Sequence, residues 1–310
     1  MPPARSRAML GQSLVALLLP ACGGDPSALG ERDEVDAGSL AAAPIDAGGA
    51  RDAATTDARA TGRDGAVGQA DAATDASATT SPGATGGCAG RSFALCEDFE
   101  SAANGALPSG WSILPGWNMG TPGVTDAEHH GGTRALKSAS ATNGQPRASR
   151  ALSELGALAG KHWGRVFYKV KTPAPLPAQG AVIHNTLVAL KGSSESRVVD
   201  TVVNSQGKHQ FLYNLPDDSC CGGSSYDYAS YDGAWHCAEW YVDASTQTYR
   251  FYFEGKEVPS IGFSNQSPQR ARMESFGAVV LGWINYQTPK TPYESWFDDL
   301  ALDDARIGCE

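Results

Sequence analysis

The sequence predicts an all-β fold, an antiparallel two-sheet jelly-roll sandwich over residues 88–310, preceded by a long disordered linker. Three observations carry that expectation. Strand-like runs recur at 93–99, 134–141, 162–172, 181–190, 197–204, 209–213, 276–286 and 294–307, parted by clusters of Gly, Pro, Asn and Asp. Helical composition is scarce: 151–159 (ALSELGALA) has it, and Gly156 interrupts it. The stretch 235–258 (WHCAEWYVDASTQTYRFYFEGKEV) alternates bulky and polar residues on both sides of a turn at 244–247, which reads as a central hairpin. Many strands at this spacing, with no helices between them, argue sheet packed on sheet.

The chain opens with Arg5 and Arg7, an apolar run over 8–19 and then LPAC at 19–22. A charged start, a short apolar run and a small-residue cleavage site make residues 1–21 a secretory signal. The run is shorter than the roughly 20 apolar residues that cross a bilayer. With Cys22 directly after Ala21, it resembles a bacterial lipoprotein signal. That resemblance implies cleavage before Cys22 and a lipid on its sulfur. The chain would then be exported and lipid-anchored to the cell envelope, at the outer membrane or cell surface, with the anchor as its only membrane contact. An ordinary secretory signal leaving Cys22 free is the other reading.

Residues 22–87 follow as a tether. They are nearly all Ala, Gly, Asp, Thr and Ser, lack aromatics, and carry eleven acidic against four basic residues. Such a composition cannot bury enough apolar surface to offset its ordering entropy. A flexible chain of that length reaches roughly 45 Å. The aspartates lack the regular glycine–aspartate period of a calcium-binding repeat and read as a solvated spacer.

The remaining stretch, 88–310, suits one sandwich domain. Its charge is mild, so nucleic acid is not an expected partner, and a monomer is expected. Six of the seven cysteines fall here: Cys88, Cys96, Cys220, Cys221, Cys237 and Cys309. An even count in an exported domain reads as up to three disulfides. The favoured pairings join Cys237 to Cys220 or Cys221, and Cys88 or Cys96 to Cys309. Without a CxxC pair or histidines at ligand spacing, zinc is disfavoured.

Residues 93–110 (FALCEDFESAANGALPSG) with Trp111 resemble the opening strand of exported concanavalin A-like jelly rolls, and 296–309 (WFDDLALDDARIGC) resembles their last strand. Between them, VIHNTLVAL, WHCAEWYVD and FYFEGKEV resemble bacterial relatives of a cellulose-induced fungal protein, similar in fold to glucuronan lyases. The resemblance implies two sheets, one of them concave and facing a glycan, and a structural calcium ion. Its first and last strands would be neighbours, which sets Glu97, Asp98 and Glu100 near Asp298 and Asp299. Asp98 and Asp298 lead as ligands, with carbonyls of the turn 129–133 (HHGGT) added, since calcium takes six to eight oxygens as a rule. A solvated acidic edge that discourages strand pairing is the competing reading.

A lyase on a uronic acid polymer needs a cation to neutralise the carboxylate, a base for the C5 proton and an acid for the departing oxygen. Alternation puts Arg165, Phe167, Lys169 and Lys171 on one face of their strand. In the next, His184 shares a face with Val182, Thr186 and Val188. If that face is the wet one, His184 is the candidate base and Arg165 the carboxylate holder, and Tyr286 is the acid, provided Tyr286 looks into the same groove. Lys169 and the sugar-stacking candidates Trp163, Trp235 and Trp283 complete the substrate-binding set, while Trp240 reads as core. A hydrogen-bonded structural histidine and a solvated lysine face compete with this reading.

The EDFE run lacks the two-carboxylate spacing of retaining glycosidases, and nucleophile-elbow, phosphate-loop and HExxH motifs are absent. Three functions stay open: a polysaccharide lyase, a non-catalytic carbohydrate-binding module and a structural surface protein.

Overall fold

A computed structural model describes residues 87–88, 90–117, 120–140, 144–214, 223–264, 273–287 and 291–310. The signal, Cys22, Cys220, Cys221 and all of the tether before residue 87 lie outside the described residues. The described residues form fourteen strands: β1 Leu95–Glu97, β2 Trp111–Ile113, β3 Gly123–Thr125, β4 Ala135–Ser140, β5 Arg147–Ala151, β6 Lys161–Val170, β7 Val182–Lys191, β8 Glu195–Asn204, β9 His209–Asn214, β10 Trp235–Asp243, β11 Thr248–Phe253, β12 Lys256–Glu257, β13 Ala278–Asn285 and β14 Tyr293–Asp303. They build two antiparallel sheets in a jelly roll. One has eight strands, ordered β12-β11-β10-β6-β14-β4-β3 with β1 also on β14; the other has six, ordered β2-β5-β13-β7-β8-β9.

The two sheets turn apolar faces toward each other, and these meet in one core. From the eight-stranded sheet come Val166, Tyr168 and Val170 of β6, Trp240 and Val242 of β10, and Phe297 of β14. Ile183, Leu190, Phe211, Leu281 and Trp283 come from the six-stranded one. Trp240 lies across β6 at Gly164, its register partner. A Cβ on Gly164 would fall 2.2 Å from the indole, so only glycine lets the ring lie flat there.

The central hairpin is β10–β11, as its alternation dictates. The helical composition at 151–159 does not make an α-helix. Ala151 ends β5, and Ser153–Ala159 forms 3-10 turns broken at Gly156, whose φ is 55°. β2, β3 and β5 went unforeseen because RASRA and two three-residue strands carry almost no bulky or alternating pattern. They are strands because neighbours supply the pairing.

The cysteines pair differently from expectation. Cys88 joins Cys96 and Cys237 joins Cys309. The reason is strand order: Cys237 on β10 points to the outer face of the eight-stranded sheet, where the C-terminal segment runs. There Glu239, two residues further along β10, accepts the Ile307 and Gly308 N–H groups at 3.1 and 2.8 Å.

Candidate functional site

On β7 the side chains of Ile183, Leu187 and Leu190 enter the core, so His184 and Thr186 point to the outer face of the six-stranded sheet. A register shift between Thr186 and Val188 then returns Val188 to the core, which corrects the expectation that it shares the face of His184. β8 brings Asp200 opposite Thr186, and β13 delivers Tyr286 just past its end, where the Tyr286 N–H bonds the His184 carbonyl at 3.2 Å.

The resulting cluster is tight. His184 Nε2 lies 2.7 Å from Asp200 Oδ2, and Thr186 Oγ1 donates to Asp200 Oδ1 at 2.6 Å. Having spent its proton, the Thr186 hydroxyl accepts from Tyr286 OH at 3.1 Å. The His184 and Tyr286 rings stack with centroids 4.4 Å apart. On the other side of Tyr286 the Arg197 guanidinium sits 4.8 Å from the ring centroid. Asp200 is fully buried while the His184 side chain keeps 19% exposure. A carboxylate only accepts, so the proton on His184 belongs on Nε2 and Nδ1 is its basic nitrogen. Burial raises the Tyr286 pKa well above the ordinary phenol value; the nearby Arg197 charge only partly opposes this, and Tyr286 stays protonated.

His184 and Tyr286 are thus brought together, and the others expected with them are not. β6 and β10 belong to the eight-stranded sheet. Their residues Arg165, Trp163, Lys169 and Trp235 share a parity opposite to the core-facing Val166, Tyr168, Ala238 and Trp240, and so lie on that sheet's outer face. Arg165 is fully buried there, between Phe93 and Phe167 at 5.6 and 5.2 Å, and its Nη2 donates to the Asp299 carbonyl. It cannot hold a sugar carboxylate beside His184. Lys169 pairs with Glu128 at 2.7 Å, Trp163 packs with Tyr241 and Tyr252, and Trp235 edges onto His130. Trp283 is a core residue stacked on Tyr293, with no surface to offer a sugar.

Asp200, Thr186 and Arg197 were not singled out from the sequence. The signal for Asp200 was present: one carboxylate between valines in RVVDTVV must be paired if buried.

The expected calcium ligands divide. β1 does pair with β14, Glu97 opposite Leu300. Yet Glu97 turns to the other side, accepting the Trp111 indole N–H at 2.8 Å and the Phe99 N–H at 3.1 Å, which removes it from the set. Glu100 is taken by Thr133 and the Arg134 N–H. Asp98 Oδ1 accepts the Glu100 N–H, one residue along from the Glu97–Leu300 pairing. Asp298 accepts the His130, Gly131 and Asp299 N–H groups, and Asp299 bonds His130 Nδ1 at 2.8 Å. Among the described residues no three His, Cys, Asp or Glu side chains converge. Asp298 and Asp299 lie side by side, and both already hold N–H donors. Burial and then the Asp299 charge push Asp298 up to about 8. A Cβ on Gly131 or Gly87 would fall within 2.8 or 1.8 Å of the Asp299 carboxylate, so two glycines bring bare backbone up to it.

No family model matches the chain, and no curated protein does. Solved structures do. Cellulose induced protein, Cip1, aligns with a TM-score of 0.51 at 17% identity, over 70% of this chain and 100% of that one. The endo-beta-1,4-glucuronan lyase from the fungus Trichoderma reesei aligns with a TM-score of 0.41 at 13% identity, over 69% and 96%. A binding domain of botulinum neurotoxin serotype D/C aligns at 0.36 and 11% identity, over 56% and 40%. The first of these shows the fold.

Proposed function

We propose that the outer face of the six-stranded sheet engages polysaccharide, and that on a uronic acid polymer it performs β-elimination. The observation that carries this reading is the His184–Asp200–Thr186–Tyr286 network with Arg197 stacked on Tyr286. It puts a base, an acid and a cation on one face. In the reaction, Arg197 neutralises the sugar carboxylate and so acidifies the C5 proton. His184 Nδ1 takes that proton while Asp200 fixes the ring and stabilises the charge it gains. The C5 electrons form the C4–C5 double bond and the C4–O bond breaks. The departing oxygen takes the Tyr286 proton, whose bond to Thr186 at 3.1 Å is long enough to exchange for it. Burial suits Tyr286 to the acid role because it keeps the hydroxyl protonated.

The test is ultraviolet absorbance of unsaturated uronate ends on a panel of uronic acid polymers. An increase that His184→Ala lowers by about 10²-fold or more supports elimination. A flat trace with retention of the polymer on an affinity gel makes the domain a binding module instead.

The leader supports export and lipid anchoring through Cys22, with the tether holding the domain off the envelope. Calcium, where bound, would sit on Asp298 and Asp299, with backbone oxygens and water completing its shell. Its contribution there is to neutralise the pair and tie β14 to the 129–133 turn; no step of the elimination uses it.

A further inference from the structure

Next to Tyr286, on the side away from His184, three charged side chains form one bridge. Arg147 Nη1 donates to Glu195 Oε2 at 2.9 Å, and Arg197 Nε lies 3.6 Å from Glu195 Oε1. Arg147 Nη2 also donates to Gln145 Oε1 at 2.9 Å. The floor beneath is a row of small residues, Ser149, Val280 and Ala189, paired across the sheet in register with Arg197. Beside that row the side chains of Arg147, Glu195 and Arg197 are only 7, 14 and 13% exposed. Two cations thus share one carboxylate in a partly dehydrated place. The Nε groups of Arg147 and Arg197 are buried without a hydrogen-bond acceptor. The bridge carries one positive charge in excess beside the candidate reaction centre.

We propose that Arg147, Glu195 and Arg197 form a carboxylate subsite in which Glu195 stands in for part of the ligand and sets its specificity. This rests on the polysaccharide reading above. Guanidinium forks match carboxylate oxygens, so one sugar carboxylate at the exposed edge of the bridge brings it to neutrality. Because Glu195 already cancels one arginine, the subsite rewards a single carboxylate and gives little for a second charge on the same sugar. Glu195 is therefore a specificity-determining residue acting by subtraction: it lowers affinity for anionic glycans in general and keeps polymers of higher charge density from binding best.

The test compares the full chain with Glu195→Gln and Glu195→Asp. Retention is measured on immobilised alginate (one carboxylate per sugar), on heparin (carboxylate plus sulfate) and on a neutral β-glucan, at low and high salt. Glu195→Gln should retain alginate about fivefold more tightly at low salt, as one unopposed charge near a protein surface implies. It should gain more on heparin, lose both gains at high salt and leave the neutral glucan unchanged. Glu195→Asp keeps the charge and should behave as the parent chain. If Glu195→Gln equals the parent or binds less tightly while the parent still retains alginate, Glu195 is a brace and the subsite is wrong. If the parent and both variants retain none of the three polymers, the polysaccharide reading itself fails.

Discussion

The outer faces of the two sheets are built by the same alternation and have opposite fates. On the eight-stranded sheet Arg165, Phe167, Cys237 and Glu239, which point outward from β6 and β10, are buried. Arg165 is roofed by Phe93, and Glu239 is fully buried under the C-terminal segment, where Arg306 Nε and the Ile307 and Gly308 N–H groups reach it at 2.8, 3.1 and 2.8 Å. On the six-stranded sheet the outward residues of β7 and β8 keep a histidine, 19% of its side chain exposed, over a buried carboxylate. The lesson concerns charge. A charged strand face is not evidence of a groove, because the ends of the chain can cover it, as the C-terminal segment covers Glu239 with its own N–H groups. On the six-stranded sheet the charges pair with one another around His184, which keeps 19% of its side chain exposed.

The largest effect that tests this contrast comes from the disulfides. Both fasten an end of the domain near the roofed face, with separations of 72 residues for Cys237–Cys309 and 8 for Cys88–Cys96. Replacing both members of the longer loop with alanine should cost about 4 kcal/mol, and the shorter about 2.5 kcal/mol, from the loop-entropy relation. Thermal unfolding reads both. Polysaccharide retention, measured below the unfolding range, should be unchanged, since the candidate site lies on the other sheet. Loss of retention together with Cys237–Cys309 would show that the two faces are not independent.

How much of this was legible in the sequence follows from what alternation encodes. It encodes parity within one strand, so the inward residues of β6 and β10 were readable, and so was the face that His184 shares with Thr186. It does not encode which sheet a strand joins. Arg165 and His184 are consecutive-strand residues with the same outward reading, and only the crossover from β6 in one sheet to β7 in the other separates them. The cysteine pairing failed for a related reason: Cys237 and Cys309 meet because the C-terminal segment folds over β10, a tertiary event with no local signal. The bulge at Thr186–Val188 is invisible in VIHNTLVAL, yet it decides that Val188 is core. Neighbouring first and last strands were legible through the resemblance, while the turning of Glu97 toward Trp111 was not.

A mid-sized effect tests the aspartate pair on the roofed face. Asp298 is pushed up to about 8 by burial and then by Asp299, so the folded state binds its proton more tightly than the unfolded chain. The stability this proton gives is complete below the ordinary aspartate value and drains away as pH rises toward about 8. Glu97, raised mainly by burial, adds the same sign. The melting temperature should therefore fall between about pH 5 and about pH 8.5 in chelator, and Asp298→Asn should flatten the slope. Calcium at the pair would favour its ionised form, lifting the alkaline end. An identical profile with calcium and with chelator would remove the cation from this site.

The smallest effect belongs to Glu294, on the same sheet but where solvent reaches it. Its Oε2 and Oε1 contact Lys137 Nζ and Lys171 Nζ at 2.6 and 2.5 Å, and those lysine side chains are 38 and 59% exposed. The two lysines, Lys137 first, hold the Glu294 carboxyl below its ordinary value. Its contribution is therefore present above that ordinary value and lost as pH falls through the depressed one. Water and salt screen such pairs, so Glu294→Gln should cost less than about 1 kcal/mol, and less again at high ionic strength. Glu239→Gln, by contrast, strikes a carboxylate on the same sheet face at a place the C-terminal segment covers, and its cost should be larger and nearly independent of salt. If the two substitutions cost the same and respond alike to salt, coverage by the chain ends is not what separates this face from the open one.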